Sequence, residues 1–358
     1  MAKKKRTSSM TENQLPRTDG SPAGVTGHLP GEAITATEWG GNHIESIKKI
    51  AAEQSDVNIN WELFTAGALT IVPKIKAKWP HHGIDLVAGY NGSFQLIARE
   101  GWAEPVTAEK VPHIVDIPRN LLVKDSAGNI INIPRTLTAL FWFCREDIAP
   151  FAITKLDDLL DPRLKGKICF PALTSNSCLQ LVSLALYKDG SEKNMEPAWD
   201  FMKRLARSGN IGRVAKTCAD TIHSLTSGET CITCESSTVA IDLARQFKIR
   251  YLIKMDPMTT GFWTYLFYQG WSVLKGGHTD AAFKFANFVI SPENNAEFNR
   301  LVGGIPANVK SKVSDEAKPF VFSEEEMERY TYTPDWSYLT EQSGAWIERW
   351  DREIVPLL

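Results

Sequence analysis

The chain has 358 residues, enough for two domains at about 150 residues each. It carries 42 acidic and 40 basic residues, and this balance argues against a large nucleic-acid surface, which needs concentrated positive charge. No run approaches the roughly 18 apolar residues of a membrane span. The six cysteines are too sparse for a disulfide scaffold, and they do not fix the redox compartment.

Residues 1–33 differ in composition from the rest and are predicted to be a disordered leader. The basic run Lys3–Arg6 is followed by Ser, Thr, Pro and Gly with few large apolar residues. A basic start is typical of a secretory signal, but the apolar region that must follow is missing. An exported protein whose signal is not visible in this chain and a cytoplasmic protein both stay open. A nuclear-import or nucleic-acid arm is a further alternative for the basic run.

From residue 34 onward, β-type runs alternate with segments of helical period. This pattern predicts an α/β fold with mixed, mostly parallel strands. The predicted elements of the first part are strand Ile34–Glu38, helix Ile44–Glu53, strand Val57–Phe64, a helical stretch from Gly67 and strand Ile84–Gly89. Those of the second part are a short helix Leu156–Leu160, strand Lys167–Ala172, helix Cys178–Tyr187 capped by Thr174–Ser177, helix Pro197–Arg207, strand Glu229–Cys234, a helix over Ala240–Phe247, strand Arg250–Met255, a β-type run Tyr265–Lys275, helix Asp280–Ile290 and a helix from Ser291-Pro292-Glu293.

Four strands end in small polar residues that lead into a helix. The four segments are Glu38–Asn42, Gly89–Ser93, Thr174–Ser177 and Glu235–Ser237. In open α/β sheets ligands bind outside the carboxyl ends of strands, where helix N-termini present unpaired N–H groups. Each segment alone is explained by helix capping. Their recurrence in two α/β halves favours one cleft between the halves.

Motifs of catalysis and metal binding are absent or weak. There is no Walker loop, dinucleotide fingerprint, nucleophile elbow or zinc-protease motif. Cys231 and Cys234 lie on a predicted strand, where a spacing of three puts them on opposite faces, so they are interpreted as structural. A disulfide to another cysteine stays open. His81 and His82 lie in a turn and lack a partner at helical spacing. We therefore predict no cofactor and no metal.

The ordered set of motifs resembles that of extracellular solute-binding proteins of ABC transporters, in the group of spermidine/putrescine and ferric-iron binders. No single motif is specific, and the set spans about residues 34–310. The matching stretches are Thr37–Gly41, Leu156–Pro162, Leu164–Lys167, Leu225–Glu229, Gly261–Trp263, Ala281–Phe288, Ser291–Glu293 and Gly303–Asn308.

The resemblance implies two lobes that close like a hinge over a ligand. The chain would cross between them near 133–139 and 261–270. The first lobe would hold residues 34–136 and 269–358, and the second lobe residues 137–268, with 311–358 packed outside the first lobe. The resemblance also implies a monomer that is periplasmic and delivers its ligand to the membrane permease of an ABC transporter.

The ligand is left open among a carboxylate, a zwitterion and an amine. Polyamine binders resemble the chain at Glu38 and Trp263, an acid for an ammonium and a ring for the alkyl chain. Thr174–Ser177 and Tyr265 replace acids of those proteins, and hydroxyls at a helix N-terminus suit an anion better. Arg135 is either an anion clamp or part of a salt bridge. Glu38 or Glu235 beside such an anion site would suit a zwitterion.

We predict a binding protein and not an enzyme. The predicted ligand-binding residues are Glu38, Trp39, Asn42, Tyr90, Arg135, Thr174, Ser175, Asn176, Ser177, Glu235, Ser236, Trp263 and Tyr265. A polyamine binder is one alternative. An enzyme on the same scaffold would need Cys234, Glu235 and His223 to converge. A ligand sensor is another alternative, and iron binding is disfavoured because Tyr330 and Tyr332 are not adjacent.

Overall fold

A computed structural model describes residues 32–54, 56–64 and 71–358. The predicted leader, residues 1–33, lies outside this part except for Glu32 and Ala33, which begin the first strand. The helical stretch predicted from Gly67 also begins outside it, and this helix is described from Ile71 onward. Among the described residues, no helix is both long enough and apolar enough to span a membrane.

Strands and helices alternate along most of the described chain. The strands are β1 (Glu32–Trp39), β2 (Val57–Phe64), β3 (Leu86–Tyr90), β4 (Ile133–Arg145), β5 (Ile168–Pro171), β6 (Ile211–Ala215), β7 (Ile232–Ser236), β8 (Ile249–Tyr251), β9 (Tyr265–Val273) and β10 (Ile305–Pro306). The α-helices are α1 (Asn42–Ala51), α2 (Ile71–Lys78), α3 (Asn91–Glu100), α4 (Leu179–Tyr187), α5 (Glu196–Ser208), α6 (Cys218–Thr226), α7 (Ser237–Ala244), α8 (Pro257–Thr260), α9 (Thr279–Val289), α10 (Pro292–Val302), α11 (Glu324–Tyr330) and α12 (Trp336–Glu353). Short 3-10 helices lie at Pro112–Asp116, Arg119–Leu121, Leu156–Leu160, Pro162–Leu164, Lys318–Phe320 and Val355–Leu357.

The strands form one mixed sheet in the order β2-β1-β3-β9-β4-β7-β5-β6, with β8 and β10 also paired to β4. β1 runs parallel to β2 and β3, and β5 runs parallel to β6 and β7. Between these groups, the long strands β4 and β9 run antiparallel to each other and to their outer neighbours. The α/β class is confirmed, and β4 and β9 form the antiparallel centre of the sheet.

The apolar core divides on the two sides of β4 and β9. One side, the first lobe, packs α1, α3, α9 and α10 on β1 and β3. The other side, the second lobe, packs α4, α5 and α7 on β5 and β7. β4 begins at Ile133 and β9 at Tyr265, within the ranges in which the crossings are predicted, and the crossings themselves stay a prediction. The residue limits of the two lobes stay a prediction.

Helical period decides which side chains enter these cores. In α1, Ile44, Ile47 and Ile50 lie one turn apart and are buried, as their spacing predicts. In α5, Trp199 and Met202 are wholly buried. β6 is a strand that the sequence analysis missed, because its alternation of Gly212, Arg213 and half-buried residues lacks an apolar run.

The C-terminal segment packs differently from the prediction that 311–358 lie outside the first lobe. Phe320 stacks on Phe141 with ring centroids 5.2 Å apart, and Trp350 stacks on Phe170 at 5.4 Å. Both partners belong to cores of the second lobe. Aromatic stacking on Phe141 and Phe170 therefore attaches much of the segment to the second lobe.

Candidate functional site

The carboxyl ends of the two strand groups face each other across the middle of β4. In the first lobe β3 ends at Tyr90, opposite Gln269 of β9, and Gln269 in turn pairs with Thr136 of β4. In the second lobe β7 ends at Ser236, opposite Leu140 of β4. Four residues of strand separate these levels, roughly 13 Å at 3.3 Å per residue. The helices α1, α3 and α7 begin at these ends. We call this space the cleft.

Glu38 ends the buried part of β1 and is bound by Arg135 of β4. Two guanidinium nitrogens each lie 2.7 Å from one carboxylate oxygen, and both side chains are wholly buried. The guanidinium also lies over the rings of Trp271, at 4.0 Å, and Phe298, at 4.6 Å. The pair is therefore neutral as a whole, and Glu38 already has a cation partner. Arg135 was interpreted as either an anion clamp or part of a salt bridge, and the structure shows the salt bridge.

Helix α10 fixes the backbone of Arg135 where the β4 ladder is irregular. The register of β4 against β9 shifts between Pro134 and Thr136. There, the side-chain amides of Asn295 and Asn299 donate hydrogen bonds of 2.7 and 2.9 Å to the carbonyl oxygen of Arg135. Because α10 supplies both amides one turn apart, it holds the ion pair at a fixed depth.

His43 and Gln269 complete the first-lobe wall, and sequence reasoning missed both. His43 Nε2 lies 3.3 Å from Gln269 Oε1, and its ring contacts that of Trp39 at 5.8 Å. Burial lowers the pKa of His43, and Arg135 adds to this effect, against an opposing influence of Glu38. The ring is thus neutral at pH 7. The sequence offered one signal for His43: it directly follows Asn42, the last residue of the predicted strand-end segment Glu38–Asn42.

The remaining predicted residues of the first lobe have structural contacts as well. Asn42 donates from Nδ2 to the carbonyl oxygen of Leu301 at 2.9 Å, which joins α1 to α10. Trp39 is half-buried beside His43. Gly41 precedes α1 with a φ of 67°, a conformation that glycine adopts without strain.

Tyr90 forms a hydrogen bond between the lobes. Its hydroxyl lies 3.1 Å from Oγ of Ser177, which precedes α4 in the second lobe. Burial raises the pKa of Tyr90, so the phenol stays protonated. Two predicted site residues from different lobes thus meet on one side of the cleft.

Glu235 is the main ionisable group of the second-lobe wall. Its side chain is 2 % exposed, and Oε1 accepts a hydrogen bond from the backbone N–H of Ser236 at 2.8 Å. The thiol of Cys218, at the start of α6, is another partner. Burial raises the pKa of Glu235 to about 7. In the described part of the chain no Lys, Arg or His forms an ion pair with this carboxylate.

The prediction that Thr174–Ser177 caps helix α4 is wrong. The helix is preceded by Cys178 in a left-handed conformation, without a side-chain cap. Ser175 donates instead to the carbonyl oxygen of Lys216 at 3.0 Å, and Asn176 to that of Cys234 at 3.0 Å. Thr174 is exposed. These side chains tie strand ends together, so they are not arranged around the helix N-terminus as an anion site requires.

The C-terminal segment covers the aromatic residues at the start of β9. Trp263 and Tyr265 contact the ring of Tyr332 at 5.8 and 6.1 Å. Tyr265 is wholly buried, and its hydroxyl lies 2.8 Å from Oγ of Ser183. Tyr265 therefore belongs to the second-lobe core and does not fit the predicted role of a cleft wall. Ser236, in contrast, lies at the strand end with its Oγ 2.9 Å from Thr238 Oγ1.

Among the described residues, no group of three or more His, Cys, Asp or Glu side chains could hold a metal ion. His82 is held structurally, since Nδ1 accepts from the backbone N–H of Ile84 and Nε2 lies 3.0 Å from the carbonyl oxygen of Lys275. All six cysteines are free, and Cys218 is the exposed one.

Residues 45–323 match a family model described as bacterial extracellular solute-binding protein. No curated protein matches the chain.

Solved structures share the fold at low sequence identity. A spermidine/putrescine ABC transporter substrate-binding protein from Streptococcus pneumoniae is 19% identical, with a TM-score of 0.66 over 88% of this chain and 99% of that one. A periplasmic binding protein from Actinobacillus pleuropneumoniae, with fructose-6-phosphate bound, is 18% identical, with a TM-score of 0.67 over 91% and 99%. A ferric binding protein from Campylobacter jejuni is 18% identical, with a TM-score of 0.65 over 90% and 98%.

Proposed function

Because the chain belongs to the bacterial extracellular solute-binding protein family, we propose that it captures a small polar organic molecule in the cleft for uptake by an ABC transporter. The observation that carries this proposal is the opposition of polar strand ends from two lobes across Leu137–Ala139 of β4. A ligand between them would contact both lobes and so favour the closed form of the hinge.

The charges of the cleft support a ligand with at most one ammonium group. Of the two predicted wall carboxylates, Glu38 is paired with Arg135, and Glu235 has no ion-pair partner among the described residues. A polyamine brings two or more charges, and burying each without a partner costs several kcal/mol. A zwitterion or a single amine fits this arrangement better than spermidine does. A carboxylate would find neutral N–H donors at the helix N-termini.

The similar structures are those of a spermidine/putrescine-transport protein, a binding protein with fructose-6-phosphate bound and a ferric binding protein. The shared fold thus accommodates unlike ligands, and the side chains of the cleft decide between them.

An enzymatic role lacks support in the geometry. Cys234 pairs with Trp142 and Glu235 with Phe141, so their side chains lie on opposite faces of β7. His223 is exposed on α6. The convergence that catalysis would need is not found among these three residues. We propose a binding protein and not an enzyme. In this proposal the protein acts as a monomer in the periplasm and delivers its ligand to the permease of its transporter.

A thermal-shift screen tests the proposed ligand class. The panel contains amino-acid zwitterions, small carboxylates, monoamines, spermidine, fructose 6-phosphate and Fe³⁺. A true ligand at 100 times its Kd stabilises the fold by about 2.7 kcal/mol. We expect stabilisation by a member of the first three classes. If that ligand is a zwitterion or a monoamine, Glu235→Gln should weaken the stabilisation and the exposed control Glu53→Gln should not; a carboxylate should not be weakened by either change. Stabilisation by spermidine, sugar phosphate or iron alone would contradict the proposal.

A further inference from the structure

The C-terminal half of α12 is firmly attached to the second lobe. Trp350 is 5 % exposed and stacks on Phe170. Arg349 binds the carboxylate of Glu196 on α5 through two nitrogens, at 2.5 and 2.8 Å, and its guanidinium lies 4.8 Å from the ring centre of Trp199. These contacts combine burial, stacking and a bidentate ion pair, so this end of α12 moves with the second lobe.

The segment that leads into α12 is attached to the second-lobe end of β9. The N–H of Thr264 donates to the carbonyl oxygen of Tyr330 at 3.1 Å, and the N–H of Tyr332 donates to that of Thr264 at 2.9 Å. The N–H of Asp335 donates to the carboxylate of Glu192. The helix therefore starts from a segment that is itself attached to the second lobe.

The first turns of α12 rest on α3 of the first lobe through a much weaker contact. The ring of Trp336 meets that of Tyr90 edge-on, with centroids 6.4 Å apart. A Cβ atom at Gly92 would lie 3.6 Å from Oγ1 of Thr340 and 3.9 Å from the Trp336 ring. Between the described parts of α3 and α12, the one ion pair is Arg99 with Glu341, exposed and 4.0 Å long. The surfaces leave a cavity of only ≈ 20 Å³.

Helix α12 is thus attached strongly to the second lobe and weakly to the first lobe, and this contrast points to a role in hinge closure. We propose that α12 is a latch, fixed to the second lobe and docked reversibly on Tyr90 and Gly92 of the first lobe. The inference rests on the proposed function only in that the lobes move relative to each other. Opening the hinge would separate Trp336 and Thr340 from α3 and would break the hydrogen bond of Tyr90 with Ser177. The latch then sets how far the ligand-free protein is already closed, and with it the apparent affinity.

Gly92 offers a matched pair of variants that separates the latch from the rest of the fold. It lies in the first turn of α3 without a positive φ, so a side chain causes no backbone strain there. Gly92→Ala places its methyl group at ordinary contact distance, between 3.5 and 3.9 Å from Tyr90, Thr340 and Trp336. Gly92→Phe has no room and acts as a wedge under α12.

Small-angle scattering of the ligand-free protein is the readout. We expect a larger radius of gyration for Gly92→Phe and an unchanged one for Gly92→Ala, with both variants retaining the circular dichroism of the parent. Equal radii for the two variants would overturn the latch. Since no ligand is present, this outcome is independent of whether the proposed ligand class is correct.

A crosslink keeps the test decisive if the wedge variant does not fold. In a Cys218→Ser background, which removes the exposed native thiol, Gly92→Cys with Thr340→Cys places two thiols at the docking contact. Under mild oxidation we expect a disulfide between these two cysteines. It should lower the radius of gyration or leave it at the parent value, and reductant should reverse it. Failure of the two cysteines to join in the folded protein would also overturn the latch.

Discussion

The carboxylate of Glu38 and the guanidinium of Arg135 lie 2.7 Å apart, and neither side chain reaches solvent. The two residues are 97 positions apart in the chain and come from the strands β1 and β4. Their pairing gives the first-lobe wall a polar but neutral base. In the proposed function this neutrality is what disfavours a multiply charged ligand.

Replacing Arg135 by Met is expected to lower the free energy of unfolding by about 3–5 kcal/mol, because it leaves the Glu38 charge buried without a partner. The double variant Glu38→Gln with Arg135→Met should lose less, since it removes both charges. Urea unfolding measures both. As a control, Arg213→Met breaks an exposed pair with Glu229 and should cost at most about 1 kcal/mol. Equal losses for single and double variants would show that the pair is not the cause.

Glu235 should make stability depend on pH between about 4.5 and 7. Its pKa rises from 4.5 to about 7 on folding, so the folded state holds a proton that the unfolded state has lost. The stabilisation is complete below the unfolded pKa and disappears as pH rises through the folded pKa. The difference amounts to roughly 3 kcal/mol at most.

The comparison with Glu235→Gln isolates this effect, because His43 has a lowered pKa and acts in the opposite direction in both proteins. Denaturant titrations at pH 5 and pH 8 are compared. The parent should lose more stability than the variant on going to pH 8. Parallel pH profiles would mean that Glu235 is ionised throughout.

Much of this architecture follows from local patterns in the sequence. The 3.6-residue period of Ile44, Ile47 and Ile50 predicts α1, and the predicted limits of β2 agree with those found. Polar residues after strands predicted the level at which Glu38, Tyr90 and Ser236 lie, because chain direction alone puts strand ends at sheet edges. These patterns involve only residues close together in the sequence, so they can be identified without knowledge of the tertiary structure.

Contacts between distant segments could not be predicted in this way. Nothing near Arg135 indicates that its partner is Glu38, and the role of Thr174–Ser177 depends on carbonyl groups of β7 and of the turn after β6. The side of the molecule on which α12 packs depends on stacking with Phe170, which is remote in sequence. Cys218 was missed because β6, which precedes it, was missed.

Cys218 should be the first cysteine alkylated in the folded protein, because the other five are buried. The charge of Glu235, together with desolvation, raises the pKa of the Cys218 thiol above its ordinary value. Iodoacetamide at pH 8 should therefore react slowly with the parent and faster with Glu235→Gln. Peptide mass spectrometry locates the adduct. Modification of Cys231 or Cys234 before Cys218 would be inconsistent with the described packing.

Tyr265→Phe distinguishes a core role from a wall role. The change removes the buried hydroxyl that meets Ser183, so stability should fall by about 1 kcal/mol. Affinity for the ligand found in the screen should stay the same, measured by titration calorimetry. Trp263→Ala is the companion variant, since Trp263 is half-buried and was also predicted to line the site. A loss of affinity in Tyr265→Phe without a loss of stability would indicate that Tyr265 lines the cleft and contacts the ligand.

Hydrogen–deuterium exchange with the most stabilising compound of the screen shows whether the ligand lies between the two lobes. Bound ligand should slow exchange in both lobes together, in peptides covering residues 37–45 of the first lobe and 234–240 of the second lobe. The exposed turn around Asp125, Ser126 and Gly128 serves as an internal reference that should not change. Protection confined to one lobe, or located away from both strand ends, would contradict a ligand held between the lobes.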